Sequence, residues 1–89
     1  SEESLKVTMG DVVIADGNDR FIPRDGAIYA YSGDGSCKTW KLPDDFKGAS
    51  LEVYTLTREG RAPAPKHVLS RDTIELALDA GAPVKLMKA

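Results

Sequence analysis

The 89-residue sequence has one cysteine, one tryptophan, one histidine and no long apolar run. Each scarcity removes a class of protein. A lone Cys37 cannot close an internal disulfide, which excludes a small disulfide-stapled scaffold but leaves the compartment open. Cys37 and His67 have no partner at zinc-ligand spacing, so no metal or other cofactor is expected on that count. The apolar stretches are too short to span a bilayer and no signal peptide is present, so no membrane contact is expected. Charge of neither sign dominates: 12 Lys and Arg stand against 14 Asp and Glu, for a net charge of -2. A phosphate-tracking surface needs a basic excess, so nucleic acid is not an expected partner. The start Ser1-Glu2-Glu3-Ser4 lacks an initiator Met, and the chain reads as a piece excised from a longer, multidomain protein.

What is present suits a soluble globular domain. Apolar residues make up 42% of the chain and charged residues 29%, too apolar a mixture for disorder. The length allows one domain, 1–89, which at this size buries roughly 60–65% of its unfolded surface around one modest core. Leu5, Val7 and Met9 alternate with polar residues, a period of two that suits a half-buried strand. Val12-Val13-Ile14 follows as a short β-branched run, and Asp16-Gly17-Asn18-Asp19 is turn chemistry. Arg20-Phe21-Ile22 reads as another strand, closed by Pro23 and by Asp25-Gly26. Strands are also expected over 27–31, 37–42, 51–57, 67–69, 73–78 and 83–87. Residues 44–50 form a polar connection that Phe46 can pin to the core through a single helical turn. Gly60, Pro63 and Pro65 argue against a helix after the Leu51 strand. A helix over 71–82 places Ile74 and Leu78 together but leaves Leu76 off its face, so the strand reading fits better. About eight short strands with turns between them predict an all-β fold, an antiparallel β-sandwich of Ig-like or Greek-key type.

The order of several short pieces carries a resemblance: Val13-Ile14-Ala15-Asp16, Phe21-Ile22-Pro23, Ile28-Tyr29, Thr39-Trp40-Lys41-Leu42-Pro43, Val53-Tyr54-Thr55-Leu56-Thr57 and Gly60-Arg61. Together they resemble the β-sandwich domain that follows the catalytic barrel in endo-α-N-acetylgalactosaminidases, glycoside hydrolase family 101. The resemblance implies a non-catalytic accessory domain of a large extracellular or cell-surface enzyme. Its partners would be the catalytic barrel and neighbouring domains of the parent chain. Catalytic carboxylates in that family belong to the barrel, so the resemblance assigns none here.

The residues themselves offer little chemistry. Asp44 and Asp45 are adjacent carboxylates, but glycosidase pairs flank one bond in a cleft, about 5–10 Å apart. Neighbours on a polar loop are expected to be solvated. Asp16, Asn18 and Asp19, or Asp34 with Ser32 and Ser36, could offer oxygens to calcium, yet neither group completes a recognised loop. Cys37 as a nucleophile would need His67 beside it in space; a small strand residue is the simpler reading. Gly33-Asp34-Gly35 lacks the ending of a phosphate loop. Aromatic rings are the remaining candidates, because sugar C–H faces stack on them. Trp40 would share a strand face with Lys38 and Leu42 and is expected to anchor the core. Tyr29, Tyr31 and Tyr54 are expected half exposed and are the possible carbohydrate contacts. A monomer is expected. The alternatives to a structural accessory domain are a carbohydrate-binding module using these aromatics and a cell-surface interaction domain.

Overall fold

A computed structural model describes residues 6–56 and 64–89. The expectations for Leu5, Thr57, Gly60-Arg61 and Pro63 lie outside the described residues. Among the described residues nine strands are present: β1 (Lys6–Met9), β2 (Val12–Asp16), β3 (Asp19–Arg24), β4 (Ala27–Ser32), β5 (Ser36–Lys41), β6 (Ser50–Thr55), β7 (Lys66–Leu69), β8 (Thr73–Leu78) and β9 (Val84–Lys88). They form an antiparallel β-sandwich with unequal layers. One sheet has seven strands in the order β1-β2-β3-β4-β9-β6-β7, and the other pairs β5 with β8.

The first four strands form a meander of tight hairpins. Asp25 and Gly26 join β3 to β4 with φ values of 52° and 77°, the two successive positive angles of a type I′ turn. That turn makes Arg24 and Ala27 the flanking hydrogen-bonded pair, so in β3 the even-numbered residues bond to β4. Pro23, expected to close the strand, instead lies inside it opposite Ile28. Its missing N–H would point away from β4, toward a side where pairing with β2 has already ended at Arg20. The strand therefore loses no ladder bond.

Alternation fixes the faces. In β4, Ile28, Ala30 and Ser32 are buried and Tyr29 and Tyr31 exposed; in β8, Ile74, Leu76 and Leu78 are buried and the residues between them exposed. The core lies between the sheets, with Phe21, Ile28, Leu51, Val84 and Leu86 on one side and Trp40, Leu42, Ile74, Leu76 and Leu78 on the other. Trp40 is 3% exposed and stacks on Phe21 across the layers, with ring centroids 5.0 Å apart and planes 3° from parallel. A single 3-10 turn, Asp44–Phe46, follows Pro43 and drops Phe46 into this core. Buried Ser70 ties that connection down: its hydroxyl donates to the Phe46 carbonyl at 2.8 Å and accepts from the Ala49 amide at 3.1 Å.

Candidate functional site

Strand pairing brings the three tyrosines to one surface. Ile22 of β3 is opposite Tyr29 of β4, Tyr29 opposite Lys85 of β9, and Lys85 opposite Tyr54 of β6. These four side chains make one row across the outer face of the seven-stranded sheet, turned away from the core. Tyr31 lies two residues along β4 on the same face, opposite Arg20, and Met87 lies two residues along β9 from Lys85. Ile22, Tyr29, Tyr31 and Met87 are 42%, 37%, 41% and 37% exposed, so the patch joins rings and aliphatic groups at the surface.

The polar groups around it are ordered. The Lys85 ammonium lies 5.5 Å from the centroid of the Tyr29 ring. Tyr54 is half-buried, and its hydroxyl donates to Glu52 Oε1 at 2.7 Å. That bond to a carboxylate holds the phenol proton and pushes the Tyr54 pKa above its ordinary value, with burial adding to the effect. Glu52 also lies 3.8 Å from His67 Nδ1 on β7. The face can therefore present flat rings for stacking, flanked by a cation and a carboxylate. The Tyr54–Glu52 contact keeps the phenol protonated rather than activating it as a nucleophile.

The other candidates are dispersed. Asp44 and Asp45 lie on the exposed 3-10 turn, paired with Lys47 at 3.0 Å and Lys88 at 3.7 Å. The arrangement matches a solvated connection rather than an acid pair across a cleft. Exposed Cys37 has Glu75 Oε2 as its sulfur partner at 3.7 Å, whereas His67 faces Glu52 in the other sheet. Among the described residues no three metal-ligating side chains converge.

The two oxygen-rich turns do meet. The Gly33 amide donates to the Asn18 carbonyl at 3.0 Å, and Asp34 accepts from Asn18 and Ser32, each at 3.3 Å. Here the chain supplies its own cation. Lys38 points inward from β5, 2.7 Å from Asp19 Oδ2 and 3.5 Å from Asp16 Oδ2. Asp19 is 2% exposed. Burial would raise its pKa, but the Lys38 ammonium at 2.7 Å, helped by the nearby Ser32 and Ser36 hydroxyls, outweighs that and holds the carboxyl below its ordinary value. The bond to Asp19 raises the Lys38 pKa in turn, against the opposing effect of its own burial. This half-buried pair is absent from a pattern reading of the sequence, where Asp19 is a turn residue and Lys38 an ambiguous strand residue. The available signal was a lysine two positions before a core tryptophan on one strand face.

Comparison with known families decides the assignment. The model of the glycosyl hydrolase 101 beta sandwich domain matches residues 2–62. The chain belongs to that family. No curated protein matches it. The matched span of this glycosyl hydrolase 101 beta sandwich domain runs past β6, and β7, β8 and β9 follow it. Asp44, Asp45 and all three tyrosines fall within the span, whereas Lys85 and Met87, which complete the outer patch, fall beyond it.

Proposed function

We propose that this domain is a non-catalytic, structural part of an extracellular glycoside hydrolase of the endo-α-N-acetylgalactosaminidase type. It supports the catalytic barrel or holds neighbouring domains at a fixed spacing. The observation that carries the reading is the outer sheet face, where Ile22, Tyr29, Tyr31 and Met87 form an exposed apolar and aromatic patch on a member of this beta sandwich family. A rigid sheet with such a face suits packing against another folded unit. The solvated positions of Asp44 and Asp45 favour the non-catalytic side of the reading. An aryl α-glycoside should accordingly undergo no turnover with the domain alone.

A carbohydrate-binding role is the second reading, favoured by the placement of Tyr29, Tyr31 and Tyr54 on one face. Titration with the core mucin disaccharide, following each backbone amide by NMR, separates the two. The structural role predicts no saturable shifts. Saturable shifts clustered at Tyr29, Tyr31, Tyr54 and Lys85 would replace it with glycan binding.

A further inference from the structure

The two sheets are unequal, and the shortfall exposes one edge. Among the described residues, β8 is paired only with β5. The Leu42 amide donates to the Asp72 carbonyl at 2.9 Å, which makes these two residues a directly hydrogen-bonded pair in the β5–β8 register. Alternation then assigns Ile74, Leu76 and Leu78 to the bonds with β5, and turns the N–H and C=O groups of Thr73, Glu75 and Ala77 to the opposite edge. No backbone bond among the described residues engages those three residues on that edge.

A groove of about 390 Å³ lies beside this edge. Leu76 and Leu78 of β8 line it together with Val53 of β6 and Val68 of β7, where the larger sheet extends past the smaller one. Glu75 on β8 and Lys66 on β7 also line it, and neither has an ion-pair partner among the described residues. An apolar floor next to a row of unpaired backbone groups fits one kind of occupant. An extended strand satisfies the backbone groups with its own and sends alternate side chains into the groove.

Charge selects which strand. If a second copy of this chain offered its own β8 antiparallel, one register alone would engage Thr73, Glu75 and Ala77 on both strands. It sets Thr73 opposite Ala77 and Glu75 opposite Glu75. Two carboxylates directly across a ladder oppose that pairing. We propose that the β8 edge accepts an extended strand of a different polypeptide, with apolar residues alternating into the groove and a basic residue opposite Glu75. This contact is separate from the outer tyrosine face and does not depend on it.

Amide exchange on the 89-residue chain tests the proposal, with two capped hexapeptide probes: alternating valine and lysine, and alternating valine and glutamate. In the free chain, the Thr73, Glu75 and Ala77 amides should exchange much faster than those of Ile74, Leu76 and Leu78. The valine–lysine peptide should slow these edge amides by roughly tenfold or more at saturation. It should bind more tightly than the valine–glutamate peptide, and Glu75→Lys should reverse that order. Glu75 is exposed, so the substitution leaves the core untouched. Protection of the edge amides in the free chain would overturn the proposal, because the edge would already be filled from within. Peptide-induced protection confined to other residues would overturn it, as would an unchanged peptide preference in Glu75→Lys. Concentration-dependent protection without peptide would assign the edge to a second copy instead.

Discussion

Lys38 occupies a strand position that alternation reserves for the core, and the Asp19 carboxylate is what makes the position tolerable. The two side chains differ in exposure: Lys38 is 39% exposed and Asp19 2%. Solvent screens part of the attraction on the lysine side, so the pair itself contributes modestly. Removing one partner is another matter, because Asp19 would keep its burial and lose its cation. Lys38→Met should destabilise the fold by about 2–3 kcal/mol in denaturant titrations at neutral pH. The pH dependence has two limbs. Asp19 titrates below its ordinary value of 3.8 in the folded state, so its contribution is present above that value and is lost as acid protonates the folded carboxyl. Lys38 titrates above its ordinary value of 10.5, so its contribution is present below that value and is lost as base deprotonates the folded ammonium. The difference in stability between the wild type and Lys38→Met should therefore shrink toward low pH, first as the variant's buried Asp19, left without its cation, takes up a proton and then as the wild-type carboxyl does, and shrink again on the basic side as Lys38 deprotonates. A difference that did not change toward low pH would show that the cost is steric rather than ionic.

At the scale of elements, strand identity was legible because alternation is local. Ile74, Leu76 and Leu78 announce β8, and Tyr29 and Tyr31 against Ile28 and Ala30 announce β4. Pro23 was misleading because its cost depends on which side of β3 needs a donor, and that depends on where β2 stops pairing. The tyrosines were legible as half-exposed rings, but their common face was not. It arises because β9 enters between β4 and β6 and sets Lys85 between Tyr29 and Tyr54. Connections show the same division between local and distant causes. The turn at Asp44–Phe46 follows from its own residues, whereas its anchor, Ser70, comes from 24 positions later. Ser70→Ala would leave the Ala49 amide only its long 3.4 Å bond to the Phe46 carbonyl and remove the hydroxyl's own bond to that carbonyl. The expected cost is about 1–2 kcal/mol, read from thermal or chemical unfolding. Faster exchange of the Ala49 amide should accompany it. A loss of stability without that local change would place the effect elsewhere.

For the whole molecule, the order of strands in space matters more than their order in the chain. The family match ends at residue 62, yet the ladders β4–β9, β6–β9, β6–β7 and β5–β8 all need strands beyond it. Among the described residues, only the β1–β2, β2–β3 and β3–β4 ladders are formed entirely within the matched span. Truncation after residue 62 would also remove Ile74, Leu76, Leu78, Val84 and Leu86 from the core. Trp40 would keep Phe21 but lose the strand paired to its own. β6 would keep no ladder partner, since both of its neighbours in the sheet come later in the chain. A remaining four-stranded meander with one face uncovered cannot bury enough apolar surface to offset ordering its backbone. Chain 1–62 is therefore expected to lack a cooperative unfolding transition and to give poorly dispersed amide spectra, whereas chain 1–89 should show both a transition and dispersion. The decisive signal is the Trp40 indole resonance, which should be shifted by Phe21 in the longer chain and sit at its random-coil position in the shorter one. A shifted indole and a sharp transition in chain 1–62 would mean that the first six strands find another packing, and that β7 to β9 are an addition rather than the completion of the sandwich.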